Sequence, residues 1–514
     1  MLPMFLNLSM FDLILEALCL CTTYIAVRAL YNLFFHPLAG FPGPKLTASS
    51  KLYEFYYDVL RGGQFFYEIQ RMHELYGPIV RINPDELHIN DATYYGTLYA
   101  GGGQIRDKYQ WFTNAAGSPT STFATVGHDL HRTRRSALNP FFSKASVVKL
   151  EPLIHEKVEG ICAGMDAQFQ QEALFDFGAA YMSFALDTVS HYAFGAAECW
   201  NCLLEPGFSA DWKEAIVSSF ENATLIRYIP WLLMPLKMIP YQWITRVHRA
   251  MGMYFKSYTL IKGHVLSFLD AEHVKVAHHD VTIFSELRNG KLPAIEQEPR
   301  RLIDEANILM IAGGEAITQL LTIVSYHLLD NPHILVRLRE ELDNVMPRPD
   351  SPITWCELEK LPYLTAVIQE GLRISAIVTT RLPRVAPHEV LKYQSFEIPP
   401  GTPVSMTSHF IHLDPVLWPE PLKFLPGRWM DDGTDTPRGN REYLVPFSKG
   451  SRGCVGINLA HAQAYLAIAR VFRRFDFELF QTDRRDVTIV RDCFNGQPYK
   501  GSKGVRAHVV GLRA

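Results

Sequence analysis

Ten residues near the C-terminus, Phe447-Ser448-Lys449-Gly450-Ser451-Arg452-Gly453-Cys454-Val455-Gly456, constrain this chain more than any other stretch. Three glycines within seven positions permit tight turns and close backbone approach to a bulky planar ligand. Cys454 stands among them, just before a helical run over residues 457–472. Amides near that helix start point at the sulfur and favour thiolate over thiol. Phe447 is placed to shield the sulfur.

At 514 residues the chain accommodates one large core or two to three smaller ones. Hydrophobic residues at 48% and charged residues at 20% exclude disorder, and a net charge of −3 gives no global electrostatic case for nucleic-acid binding. The eight cysteines lack the spacing of a disulfide framework. Cys199 and Cys202 form a C-x-x-C pair, but no second pair follows for zinc and no histidine for covalent haem attachment, so ordinary packing is expected.

From Leu13 to Phe35 the chain is mostly apolar and approaches the roughly 20 residues that span a bilayer, although Asp12, Glu16 and Arg28 interrupt it. A signal peptide fits less well, because no positive segment precedes the run and no small-residue cleavage site follows. A buried amphipathic helix is the other alternative. Arg28, Lys45 and Lys51 after the run put the bulk of the protein on the cytosolic side. Residues 1–35 are therefore expected to be a single-pass anchor and residues 36–50 a proline-rich hinge. The hinge is expected to be stiff and extended through His36-Pro37-Leu38-Ala39-Gly40-Phe41-Pro42-Gly43-Pro44. Ile229–Pro235 and Met238–Tyr241 make a second apolar patch, either dipping into the membrane interface or forming a buried loop.

Helical periodicity dominates from Pro140 to Leu342, with runs at 147–169, 243–269 and 302–329. Extended segments are expected at 79–88, 378–387, 404–407 and 488–490. The fold class is mainly α with small β-sheets. Residues 51–514 read as one domain, the alternative being two that meet near Gln297.

Phe447, Gly450, Arg452, Cys454 and Gly456 fill every fixed position of F-x-x-G-x-R-x-C-x-G, the haem-binding signature of the cytochrome P450 family, which the chain resembles over nearly its whole length. Glu370-Gly371-Leu372-Arg373 resembles the family's E-x-x-R pair, and Phe424–Trp429 its meander, in which Arg428 joins Glu370 and Arg373. The resemblance gives these three charges structural roles. It makes Cys454 the axial iron ligand of a non-covalent haem b and gives Phe447 and Gly456 to the haem site. His131 stands where a tryptophan is often found, and Arg135, Arg384 and Arg452 are the implied propionate partners.

Residues 308–318 are similar to the family's distal helix, with Gly313 and Glu315 in place but Ala316 where a threonine is usual. Two glycines inside a helix cost roughly 1 kcal/mol each and suggest a local opening for dioxygen. The implied acid–alcohol proton relay is incomplete without the hydroxyl, so ordered water or a substrate hydroxyl is expected to fill the gap; Thr318 points elsewhere. The implied activity is insertion of one oxygen atom from dioxygen into a lipophilic terpenoid or polyketide, as in fungal secondary-metabolism members such as trichodiene oxygenase. Electrons come from NADPH through a separate reductase, since no dinucleotide fingerprint or flavin domain is encoded. An isomerase or dehydratase that does not consume dioxygen is the alternative; a haem sensor or electron carrier is a further, poorly motivated one. Residues 100–125 and, opposite them, Val378, Thr379 and Thr380 are expected to line the substrate site. Arg132, Arg134, Lys144 and Lys449 are expected to dock an acidic reductase, or to be a solvated face. Membrane lipids are further partners, nucleic acid is not, and the endoplasmic reticulum is the implied location.

Overall fold

The periodic runs become a stack of long helices in the computed structural model, which describes residues 10–208, 210–270, 282–430 and 440–513. Nine helices position the site: α1 (Met10–Phe34), α2 (His128–Leu138), α3 (Lys144–Gln170), α4 (Phe177–Phe194), α5 (Ala210–Tyr228), α6 (Arg249–Asp270), α7 (Pro299–Asp330), α8 (Pro362–Ile374) and α9 (Ile457–Arg474). Helix α4 is mostly apolar and is buried along nearly its whole length, as a central helix must be. Helix α7 packs along it and starts with Pro299 in the first turn, where the missing N–H costs nothing. Ser143 caps α3 by accepting from the Ser146 amide. The expected run at 243–269 is two helices, because His248 is extended between Tyr241–Val247 and α6.

Besides a small hairpin of Leu391–Tyr393 with Phe396–Ile398, the strands among the described residues are β1 (Ile79–Arg81), β2 (Leu87–Ile89), β3 (Asp107–Lys108), β4 (Phe175–Asp176), β5 (Arg384–Val385), β6 (Pro403–Ser405), β7 (Phe475–Leu479), β8 (Arg491–Cys493), β9 (Asn495–Gln497) and β10 (Arg506–Leu512). One sheet has the order β1-β2-β6-β5-β3, a second β4-β10-β7, and β8 and β9 form a hairpin. The stretch expected to be extended at 79–88 is an antiparallel pair, with Asn83 Oδ1 accepting from the Asp85 amide in its turn. Residues 488–490 lie just before β8 rather than in a strand, and 378–387 contributes only β5. A single apolar core joins residues from Leu138 to Val509, on both sides of Gln297.

The proline segment, expected to be stiff and extended, turns and packs on the domain instead. Residues 36–40 turn, Leu38 is buried, Phe41 stacks on Phe396, and the Arg81 amide donates to Pro42 O. The end of α1 is held as well: the Arg81 guanidinium donates to Asn32 O at 2.8 Å, and Asn32 Nδ2 donates to Ser49 O at 3.0 Å. Three prolines remove donors, but neighbouring strand and helix groups supply the contacts. The rest of α1 is an exposed apolar helix, a candidate transmembrane span. Helix α7 is also apolar and long, but it is mostly buried in the domain core.

Candidate functional site

The cysteine loop is folded against the segment before β3. Gly450 has φ +72°, and a Cβ there would collide with the carbonyl oxygens of Tyr99 and Ala100. Ser451 N donates to Ala100 O, and Cys454 N donates to Phe447 O at 2.9 Å, closing the turn. Cys454 keeps accessible surface, and because it lines a cavity of about 310 Å³ that access is inward. Burial pushes its thiol up, opposed by the Gly456 amide and the Arg135 charge. That amide belongs to the residue preceding α9, as the loop sequence requires. Phe447, Gly456, Arg452, Arg135 and His131 line the same cavity, and Phe447 packs its ring on His461.

One rim of the cavity is crowded with cations. Lys108 is pushed well down by burial and then by Arg384, Arg452 and Arg135. Arg452 is held at about 10 by burial and by Arg384, with Asp107 the opposing charge. His131, down to about 2 through burial and neighbouring cations, is neutral. Arg452 spends N–H groups on Thr125 O (2.7 Å) and Val126 O (2.6 Å), and Arg135 donates to Gly453 O (2.9 Å) and Asn139 Oδ1 (2.7 Å). Arg384 lies deeper, bonded to Leu382 O and Pro383 O and set over the Tyr99 ring. Three guanidiniums and a lysine that burial and these neighbours drive toward the neutral form stand against Asp107, since Glu305, also on the cavity wall, is already paired with Arg301; such a rim is destabilising until an anion neutralises it. A planar group bearing two carboxylates, with a metal facing Cys454, fits this donor set. Lys108 was not foreseen: it sits on a two-residue strand with no motif around it.

The opposite wall is α7. Ala312, Gly313 and Ala316 line the cavity, and Ala316 presents a methyl group where an alcohol was considered. The glycines do not open the helix, which runs on unbroken. They let α4 approach: a Cβ at Gly313 would meet Val189 Cγ2 at 2.8 Å, and one at Gly314 would meet Leu186 Cδ2 at 3.0 Å. Thr318 bonds back to Gly314 O at 2.7 Å and faces Met182, away from the cavity as expected. Glu315 lines a second chamber, of about 130 Å³, which shares Ile308, Ala312, Ala316, Ile377, Phe123 and Phe494 with the first. Asn495 Nδ2 (2.8 Å) and Gln497 Nε2 (3.4 Å) donate to Glu315 Oε1, and burial raises the acid to about 7.

The smaller chamber is walled by Phe112, Ala115, Ala116 and Phe123 from the expected 100–125 segment and by Phe220 and Ala223 of α5. On the opposite side the lining residue is Ile377, not Val378, Thr379 or Thr380. Thr379 bonds Asp492 Oδ1, the Thr379 and Thr380 amides donate to Phe494 O, and Val378 O accepts from Ser408. Phe494 and Asn495, on the C-terminal hairpin, were missed because their strands are three residues long and carry no alternation.

Glu370 is buried and accepts five N–H bonds: from Arg373 Nε (2.9 Å) and Nη2 (2.8 Å), Arg428 Nε (3.1 Å), Trp429 Nε1 (3.0 Å) and Leu425 N (2.9 Å). Arg373 reaches on to His412 O and Pro421 O, tying α8 to the segment that leads into the cysteine loop. The basic face is smaller than expected. Arg134 is buried in a two-point pair with Glu296 and does not belong to it, and Lys144 is paired with Glu359 at 2.6 Å. Arg132 and Lys449 are exposed.

A helical domain enclosing a cysteine-floored cavity with an uncompensated cationic rim is the arrangement of a haem-thiolate protein. The family model described as Cytochrome P450 matches residues 51–492. Among curated relatives, cytochrome P450 monooxygenase MO6277 of Ascocoryne sarcoides is 40% identical, over 94% of this chain and 96% of its own. Tryptophan 6-hydroxylase fscE of Fusarium equiseti is 40% identical over 94% of each chain. N-acetyltryptophan 6-hydroxylase ivoC of Emericella nidulans is 37% identical over 96% of each. This chain belongs to the cytochrome P450 family, an oxidoreductase of the haem monooxygenase kind seen in fungal secondary metabolism.

Proposed function

We propose that the chain is a membrane-anchored monooxygenase that binds haem b through the Cys454 thiolate and oxidises a lipophilic secondary metabolite, a terpenoid or polyketide. Electrons reach it from NADPH through a separate reductase. The observation that carries this reading is Cys454 facing a cavity lined by Lys108, Arg135 and Arg452, with Arg384 close enough behind them to act on Lys108 and Arg452. When bound, haem supplies the activation of dioxygen. Lys108, Arg135, Arg384 and Arg452 hold its propionates, while the Gly456 amide favours the Cys454 thiolate. The aromatic chamber of Phe112, Phe123, Phe220 and Phe494 excludes water and orients an apolar skeleton. Two relatives carry names of tryptophan-type hydroxylases, which extends the candidate substrates to indoles.

Glu315, at about 7, holds a proton near neutrality, and water or a substrate hydroxyl bridges the gap left at Ala316. Helix α1 anchors the chain as a single pass in the endoplasmic reticulum, with the domain cytosolic. Trp231, Met238 and Trp243, exposed at 71%, 85% and 65%, form a second membrane contact. Arg132 and Lys449, with Lys144 freed from Glu359, meet an acidic reductase surface. With labelled dioxygen, NADPH and reductase, turnover of a terpenoid, polyketide or indole substrate is expected to place one labelled atom in the product. The alanine at 316 also favours a second reading, an isomerase or dehydratase; product formed without dioxygen or reductase selects it.

A further inference from the structure

The smaller chamber is apolar except for a few groups, and two of them are oxygen acceptors left without a donor. Asn495 gives Nδ2 to Glu315 Oε1 (2.8 Å) and to Gln319 Oε1 (3.2 Å), while Gln319 Nε2 is anchored on Ser375 O and Gly496 O. This network holds the β8–β9 hairpin against α7 and leaves Glu315 Oε2 and Asn495 Oδ1 with no hydrogen-bond partner among the described residues. Both residues are more than nine-tenths buried and both line the chamber.

A buried acceptor without a donor forfeits the hydrogen bonds it had in water, and the loss is larger when it is charged. The groups that face the pair do not relieve it. Lys213 contributes charge, but its ammonium is committed to both oxygens of Asp176 at 2.8 and 2.9 Å. Ser219 turns its hydroxyl to Ala215 O. Tyr254 Oη on α6 is also unpartnered, but a hydroxyl both gives and accepts and so selects nothing. Glu315 lines the smaller chamber whereas Ala316, Ala312 and Ile308 line both, which sets the pair toward the organic substrate.

We propose that Glu315 and Asn495 form the polar anchor of the substrate site, selecting lipophilic molecules that carry one hydrogen-bond-donating group, an alcohol O–H or a ring N–H. This rests on the monooxygenase reading and names its substrate class. With the Glu315 carboxyl ionised, the donor bridges Glu315 Oε2 and Asn495 Oδ1, and the aromatic wall takes the carbon skeleton.

The test uses the purified full-length holoenzyme and matched probes: indole against 1-methylindole, and a bicyclic terpene alcohol against its methyl ether. Binding is read from the shift of the haem absorption band at a pH above about 7, where Glu315 is ionised. The donor-bearing member of each pair is expected to bind roughly tenfold or more tightly, the span of one hydrogen bond to a charged acceptor. Glu315→Leu and Asn495→Leu are each expected to erase most of that preference, and Glu315→Gln, which keeps an acceptor oxygen, to retain part of it. Haem content and the carbon monoxide spectrum of each variant separate loss of the anchor from loss of the fold. Equal affinity within the pairs, binding of neither member, or an unchanged preference in both leucine variants overturns the proposal. Absence of the thiolate spectrum in the wild type strikes the monooxygenase reading instead.

Discussion

Replacing Glu370 with alanine removes the acceptor of five N–H groups and leaves the buried guanidiniums of Arg373 and Arg428 without their shared counter-charge. Arg373 keeps carbonyl partners at His412, Pro421 and Lys423, so its N–H groups are not all stranded, but carbonyls do not neutralise its charge. Breaking a buried pair by deleting one partner costs about 3–5 kcal/mol, set against a net stability of roughly 5–15 kcal/mol for a folded domain. At about 1.4 kcal/mol per decade, the unfolding equilibrium shifts by roughly two to four orders of magnitude. Urea unfolding followed by circular dichroism, with haem counted per polypeptide, reads both consequences. Glu370→Ala is expected to lower the midpoint sharply and to purify largely free of haem, because the triad fixes the segment that leads into the cysteine loop. Lys392→Ala, which breaks an exposed pair with Glu397, is expected to leave the midpoint in place. A Glu370→Ala protein with wild-type midpoint and full haem refutes the reasoning.

Ala316→Thr is expected to leave the fraction of NADPH electrons recovered in product unchanged or higher; a collapse of product with rising peroxide counts against a water-bridged relay. Glu315 is raised by burial from 4.5 to about 7, so the folded state holds its proton more tightly than the unfolded chain. Its contribution to stability is therefore greatest below about pH 4.5 and is lost as pH rises through about 7, by about 3 kcal/mol over the window. Glu315→Gln is expected to flatten that part of the stability–pH curve, and an unchanged slope assigns it to other groups. Removing the chain up to Leu30 spares Asn32 and its bonds to Arg81 and Ser49. The shortened protein is expected to sediment partly with vesicles until Trp231, Met238 and Trp243 become serine, and full solubility before those substitutions would exclude a second membrane contact.

Legibility in the sequence followed the range of the interactions. The cysteine loop and the Glu370–Arg373 pair lie within single turns of chain, so spacing alone exposes them, and the structure brings Arg428 to them as expected. Helices α3 and α7 were visible because burial repeats along their faces over many turns. Lys108, Asn495 and Gln497 were hidden, because they act from strands of two and three residues; the strand of Lys108 pairs with residues 384–385, and Asn495 and Gln497 bond Glu315, all far along the chain. Arg134 was misread as a surface charge, since nothing local reveals that Glu296 waits 162 residues away to bury it. The close packing of α4 against Gly313 and Gly314 was not legible, since a pattern on α7 alone does not contain it. The proline segment was read as stiff and extended, and its turn onto Arg81 and Phe396 was not legible because those contacts are equally remote in sequence.

The central claim is that the sulfur at position 454 binds the metal of an enclosed porphyrin. Full-length protein, reduced and exposed to carbon monoxide, is expected to give the red-shifted Soret band diagnostic of a trans thiolate, and Cys454→Ala to lose both that band and turnover. A wild type without the band, or a Cys454→Ala protein that keeps it, contradicts the account.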